Sequence, residues 1–142
     1  MTKHEAVKEF FEQKVEEIAE KQLGFNFSDD TEDNISIITN YSALQLKKYF
    51  IGAEKEYGFS IIIVKEYSTD EDDLNIQAMN FAQSFMDWLE EQNKNKNYPD
   101  FGENCMIKKM ENLQNMPNLA GILPEANLAR YMLQCRIIYF EK

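Results

Sequence analysis

The strongest strand signal in the chain is FSIIIVKEY, which runs from Phe59 to Tyr67. Its centre is a run of consecutive β-branched residues, Ile61 to Val64, and these residue types favour an extended backbone. An uninterrupted apolar run of this length predicts a central strand of a sheet. Such a strand is covered on both faces by its own chain, or on one face by a helix and on the other by another chain.

A helix is predicted on each side of this strand. The first spans Thr2 to Leu23, with a capping box formed by Thr2 and Glu5 and a natural stop at Gly24. Its apolar residues recur at spacings of three and four, which places them on one stripe. The stripe consists of Val7, Phe10, Phe11, Val15, Ile18, Ala19 and Leu23.

The second helix is predicted from Asp72 to Asn93, with Trp88 on its apolar face as a core residue. The polar run from Ser68 to Asp73 precedes it and can cap its first turn. Carboxylates in that position face the positive end of the helix dipole, which stabilises them.

The remaining segments complete an α+β pattern. Strands are predicted at Ile35–Thr39, Leu44–Ile51, Asn104–Asn112 and Ala126–Phe140, a charged turn at Gly52–Gly58, and a loop at Met116–Glu125, which holds two prolines and a glycine. We therefore expect a mostly antiparallel four- to five-stranded sheet with two main helices packed on one face. Residues 1–142 are expected to form a single domain, with an N-terminal helix over 1–24 and an α+β core over 35–140.

The composition fits one soluble domain. The chain has 142 residues, of which 44% are hydrophobic, and this is enough apolar material for one packed core. No apolar run approaches the roughly 20 residues that cross a bilayer. The N-terminus begins with a charged helical pattern and lacks an apolar signal region, so we expect a protein made in the cytoplasm.

The formal net charge is −10, and the acidic residues are clustered. One cluster follows the first helix and the other precedes the second helix. Binding to nucleic acid or to anionic lipid normally requires a basic face, so the charge argues against both kinds of partner. The common role of such runs is a solvated loop. As candidate functional residues we take Asp29, Asp30, Asp33, Asp70, Glu71, Asp72 and Asp73.

No catalytic, cofactor-binding or metal-binding motif emerges from the sequence. The single histidine, His4, has no nucleophile or carboxylate partner nearby in sequence and is interpreted as an exposed helix residue. The acidic runs lack the glycine and glutamate that a calcium loop requires. Cys105 and Cys135 lack metal-ligand spacing and are interpreted as free, buried thiols, with a disulfide between facing strands as the alternative. We predict that the chain is not an enzyme and has no cofactor.

The order and spacing of several segments resemble the tail-terminator and minor-capsid proteins of tailed bacteriophages and phage-derived contractile particles. The resemblance covers the chain from about Ile35 onward. The segments that carry it are the Phe59–Tyr67 strand, the helix ending in Met86-Asp87-Trp88-Leu89-Glu90, the Tyr98-Pro99 step, the strand with Ile107-Lys108-Lys109-Met110, and the closing Tyr131–Tyr139 strand.

The resemblance implies a subunit of a hexameric ring in a virion or tail-like particle assembled in the bacterial cytoplasm. Such a ring caps the tail tube, ends its polymerisation, and offers a docking surface to a sheath, connector or collar protein. The acidic loops would then face the ring lumen or a subunit interface, where they would repel DNA. Two alternatives remain open, namely an acidic inhibitor or immunity-type protein that binds a basic partner, and a small enzyme.

Overall fold

The computed structural model describes residues 1–19, 23–40, 46–70 and 72–142. Two α-helices and one 3₁₀ helix accompany the strands in these residues. The helices are α1 Lys3–Ala19, α2 Asp72–Lys94 and the 3₁₀ helix Pro124–Ala126. The strands are β1 Gly24–Phe25, β2 Ile35–Thr39, β3 Lys47–Tyr49, β4 Gly52–Glu66, β5 Cys105–Asn112, β6 Asn118–Leu123 and β7 Leu128–Glu141.

Two long antiparallel strands, β4 and β7, form the centre of the sheet. Their ladder runs from Ala53 opposite Glu141 to Glu66 opposite Leu128. The outer edge of β4 pairs with β3 near its start and with β2 near its end. The outer edge of β7 pairs with β6 near its start and with β5 near its end. Within the described residues the ladders are antiparallel except for the short β1–β2 pair. The predicted α+β class and mostly antiparallel sheet are confirmed.

Both helices pack on one face of this sheet. Alternate residues of β4 and β7 point towards them and are almost fully buried. Phe11 of α1 has no exposed surface, and its ring lies 5.5 Å from that of Phe59 on β4 and 6.3 Å from that of Phe85 on α2. Trp88 completes the cluster at 5.7 Å from Phe11. Val7, Phe11 and Val15 of the predicted apolar stripe have no exposed surface, so this part of the stripe faces the core.

The capping box is borne out at the start of α1, where the backbone N–H of Glu5 donates to Oγ1 of Thr2 at 3.2 Å. The helix itself is described to Ala19, so the end predicted near Leu23 falls partly on residues 20–22, outside the described residues. The same applies to residues 44 and 45 of the predicted Leu44–Ile51 strand. Its described part, residues 46–51, contains the three-residue strand β3, whereas Phe50 and Ile51 lie in a turn and not in the predicted strand.

The predicted charged turn at Gly52–Gly58 is wrong, because these residues form the first half of β4. Charged side chains disfavour a strand unless side chains on other strands neutralise them, and here residues of β5 and β7 do so. Glu54 pairs with Lys108 of β5 at 2.9 Å, and Lys55 pairs with Glu141 of β7 at 2.7 Å. The partners lie far along the chain, where a local pattern cannot indicate them.

The predicted loop at Met116–Glu125 is also wrong in part, because Asn118–Leu123 is the edge strand β6. Pro117 precedes the strand and Pro124 follows it, so neither proline removes a hydrogen bond from the ladder. Gly121 lies at a register shift, where a bulge is tolerated. With β1 and β6 added to the five predicted strands, the sheet has seven strands in the described residues rather than the four to five expected.

Candidate functional site

Three loops meet at the end of the sheet where β4 finishes and β7 begins. The N–H of Asp33 donates to the carbonyl of Val64 at 2.8 Å, and this bond holds the loop over residues 26–34 against β4. The N–H of Tyr67 donates to the carbonyl of Asn127 at 2.8 Å, which joins the segment after β4 to the one before β7. We call residues 26–34, 66–73 and 124–127 together the acidic end.

The sequence of the acidic end contains ten carboxylates and no lysine or arginine. They are Asp29, Asp30, Glu32, Asp33, Glu66, Asp70, Glu71, Asp72, Asp73 and Glu125. The two acidic clusters predicted from the sequence are about 40 residues apart in the chain. The pairing of β2 with β4, continued by the hydrogen bonds of Asp33 and Asn34 with Val64, brings them to one place. Glu71 belongs to the predicted set but lies outside the described residues.

A groove of about 650 Å³ runs between the three loops. Its polar wall holds Glu32, Glu66 and Asp70, and its apolar wall holds Tyr67, Leu74 and Leu128. A smaller groove of about 310 Å³ adjoins it and shares Glu32, Glu66 and Leu74. The site is therefore an open, negatively charged channel with apolar patches, wide enough to receive side chains from another molecule.

Asparagine side chains fix the shape of the 26–34 loop. Asn26 has a φ of 60°, a region that asparagine tolerates better than most residues, and its side-chain oxygen accepts from the N–H of Thr39 at 2.8 Å. At the other end, the side-chain oxygen of Asn34 accepts from the hydroxyl of Ser36 at 2.9 Å and from the N–H of Asp29 at 3.3 Å. The acidic residues between them are thus presented from an ordered loop.

Two of the predicted aspartates bind cations supplied by the central strands. Asp33 pairs with Lys65 of β4 at 2.5 Å, and Asp30 pairs with Arg130 of β7. Lys65 also lies over the ring of Phe81 at 4.3 Å, so it links the loop to α2. These pairs hold the loop in place, and they offset only part of the negative charge of the acidic end.

The second predicted cluster surrounds the start of α2. The side chain of Asn75 donates to the carbonyl of Ser68 at 2.7 Å and accepts from the N–H of Ser68 at 3.0 Å, which closes the turn before the helix. Asp72 and Asp73 then occupy the first turn, where the helix dipole favours carboxylates. The carboxylates predicted for the positive end of α2 lie in its first turn, and Asp70 lines the groove.

The arrangement suits the binding of a cationic surface rather than of one metal ion. In the described parts of the chain, no group of three or more histidine, cysteine, aspartate or glutamate side chains is placed to hold a metal. The carboxylates are spread along a channel, where each can accept a hydrogen bond from a lysine or arginine of a partner.

A second polar cluster, at the opposite end of the sheet, was missed in the sequence. Glu141 accepts hydrogen bonds from Lys3 at 2.8 Å and from Lys55 at 2.7 Å, and the two ammonium groups lower the pKa of this carboxyl to about 2. Cys105 also donates to Glu141, at 3.2 Å. The partners lie 138, 86 and 36 positions away, so no local pattern could have indicated them.

His4 belongs to the same region and is exposed, as predicted. Its Nδ1 lies 2.7 Å from the hydroxyl oxygen of Tyr57 on β4. Burial raises the pKa of Tyr57 to about 12, so this phenol stays protonated at neutral pH. The contact joins α1 to the sheet, and the geometry gives it a packing role.

The two cysteines are free, as predicted, and the β5–β7 ladder shows why a disulfide does not form. Cys105 lies opposite Glu141, whereas Cys135 lies opposite Asn112 at the other end of β5. The separation along the strand is seven positions, or about 23 Å, far beyond the reach of a disulfide.

No protein-family model matches the chain, and a search of curated proteins found no match. In the part of the chain that the structure describes, neither helix is long and apolar enough to cross a bilayer.

Proposed function

We propose that this chain is a structural subunit that assembles with copies of itself as a ring and caps the end of a tail tube. The particle would be a phage tail or a phage-derived contractile particle. The observation that carries the proposal is the convergence of the two acidic clusters into one acidic end with an open groove. A surface of this kind suits docking between proteins.

The order of strands and helices supports the proposal. The segments on which the resemblance to tail terminators rests are the central strand β4, the helix α2, and the strands β5 and β7. In the proposed ring, the acidic end lines the lumen or a subunit interface. A lumen lined with carboxylates would repel the phosphates of passing DNA and so prevent it from adhering.

The proposal is tested by light scattering on the purified protein, alone and mixed with its cognate tube subunit. We expect the mass of a ring, or tubes whose length stops increasing when the protein is added. Tubes that grow to the same length with and without an equimolar amount of the protein would refute the capping role.

The acidic end also favours a second candidate, an inhibitor or immunity-type protein that binds a basic partner. Such a protein would be a small monomer or dimer in solution, and its affinity for the partner would fall steeply with salt. The two candidates differ in their response to tube protein. Only the capping subunit should change tube length.

A further inference from the structure

The β3–β4 hairpin presents a basic and apolar tip at the end of the sheet opposite the acidic end. Its six residues are Leu46, Lys47, Lys48, Tyr49, Phe50 and Ile51. Tyr49 pairs with Gly52, so Phe50 and Ile51 form the two-residue turn. The segment contains no acidic residue, and this composition is the reverse of that of the acidic end.

The apolar side chains at the turn project into solvent, and the described residues offer them no packing partner. The Phe50 side chain is fully exposed at 104%, and that of Ile51 is 66% exposed. Exposed aromatic residues at a projecting turn are typical of anchors in protein interfaces. Lys47 and Lys48 are exposed, and within the described residues neither forms a salt bridge. The Nζ of Lys47 lies 5.2 Å from the centroid of the Tyr49 ring, and Lys47 lies opposite Glu54 in the β3–β4 ladder. The exposed ammonium groups of the two lysines can be reached by a partner.

The base of the hairpin is nevertheless firmly held. The ring of Tyr49 lies 5.7 Å from that of Phe140 on β7, and the Nζ of Lys108 lies 5.8 Å from the Tyr49 centroid. The N–H of Leu46 donates to the carbonyl of Glu54 at 2.7 Å. A rigid hairpin loses little conformational entropy when its tip is bound, which favours a docking element.

We propose that the hairpin tip of one subunit docks into the groove of the acidic end of a second copy of this chain. Lys47 and Lys48 would pair with the groove carboxylates Glu66 and Asp70. Phe50 would cover the apolar wall formed by Tyr67, Leu74 and Leu128. The inference deepens the proposed function and rests on it, because it names the contact between neighbouring subunits.

The length of β4 requires that this contact join different molecules. The hairpin tip precedes Gly52, and the groove begins at Glu66, so the 15 residues of β4 separate them. At about 3.3 Å per residue, the two surfaces are about 45 Å apart. A tip on one chain and a groove on the next make a head-to-tail contact, which generates a closed ring when the rotation between subunits closes.

The test compares charge-reversal variants by sedimentation velocity over a range of protein concentrations. The hairpin variant carries Lys47→Glu and Lys48→Glu, and the groove variant carries Glu66→Lys and Asp70→Lys. We expect each variant alone to be monomeric. An equimolar mixture should associate again, because every tip then meets a groove of opposite charge.

A matched control carries Lys94→Glu and Lys96→Glu, which make the same charge change at two exposed positions, the last residue of α2 and the turn after it, and should leave association unchanged. Phe50→Ser should weaken association by at least about tenfold, since it removes the anchor without changing charge. Because all these positions are exposed, circular dichroism should show wild-type folding in every variant.

Three results would overturn the inference. One is a wild-type protein that stays monomeric at the highest concentration, and another is association by the hairpin variant equal to that of the control. The third is a wild-type protein that binds phosphatidylserine vesicles together with a hairpin variant that no longer binds them but still self-associates. The tip would then be a lipid anchor. Tube length is measured in parallel: capping that persists in the hairpin variant refutes the contact but leaves the proposed function standing.

Discussion

Replacement of Phe11 by alanine should destabilise the fold more than any other single change in α1. The Phe11 side chain is fully buried and contacts rings from α1, α2 and β4. Two helices and a sheet surround it, so the site can collapse only in part after truncation. Loss of a buried phenylalanine costs about 3–5 kcal/mol, which is a large part of the 5–15 kcal/mol that is typical of a domain.

The assay is urea unfolding followed by far-UV circular dichroism and by the fluorescence of Trp88, the single tryptophan. With a slope of about 2 kcal/mol per molar urea, the midpoint should fall by about 1.5–2.5 M. Phe27→Ala is the control, because that side chain is 62% exposed and should change stability by less than about 0.5 kcal/mol. A Phe11→Ala midpoint equal to that of the control would refute the docking of α1 on the sheet.

Three further outcomes are expected. Gly52→Ala should cost about 1–3 kcal/mol of unfolding free energy in urea, because its Cβ would overlap the backbone carbonyl of Glu141, whereas Gly121→Ala should be neutral because the space around it is open. The pKa of Glu141 is lowered in the folded state, so its contribution of about 1–2 kcal/mol to the free energy of unfolding is present above the usual carboxyl pKa near 4.5 and is lost as pH falls towards 2. The difference in unfolding free energy between wild type and Glu141→Gln should therefore shrink over that pH range. A difference that does not change with pH would contradict the ion pairs. Cys135 should resist iodoacetamide in the native protein, since burial raises its pKa to about 12, and intact mass should show modification at this thiol only after unfolding.

The elements that the sequence predicted correctly are those whose signal is local. Helix α2 and strand β2 have their apolar residues at regular spacing within the element, so the pattern alone defines them. The first half of β4 and all of β6 depend instead on partners elsewhere in the chain. Glu54 lies in a strand because Lys108 neutralises it across the sheet, and β6 exists because β7 offers an edge to pair with.

The candidate site was likewise predictable only where its signal is local in the sequence. Clustering of the acidic residues was visible in the sequence, and the position of Asp72 and Asp73 in the first turn of α2 was predicted from it. Their convergence was not predictable, because it depends on the pairing of β2 with β4, in which Ile35 lies opposite Ile63, 28 positions along the chain. The hairpin tip was missed for a similar reason: the charged residues from Glu54 to Glu56 suggested a turn several residues too late.

The folded chain has an acidic surface and a basic surface, the acidic end and the hairpin tip, rather than a single surface of balanced charge. Opposite charges within one subunit would normally approach each other and be neutralised, as Lys55 and Glu141 do. Glu66 and Asp70 of the acidic end and the lysines of the hairpin tip cannot do so, since the β4–β7 ladder holds the two ends of β4 about 45 Å apart. At that distance, several Debye lengths at physiological salt, the two ends do not attract each other within a molecule. In the contact that we propose, their complementarity lowers the free energy only between molecules, and the long central strand keeps the two surfaces apart within one molecule.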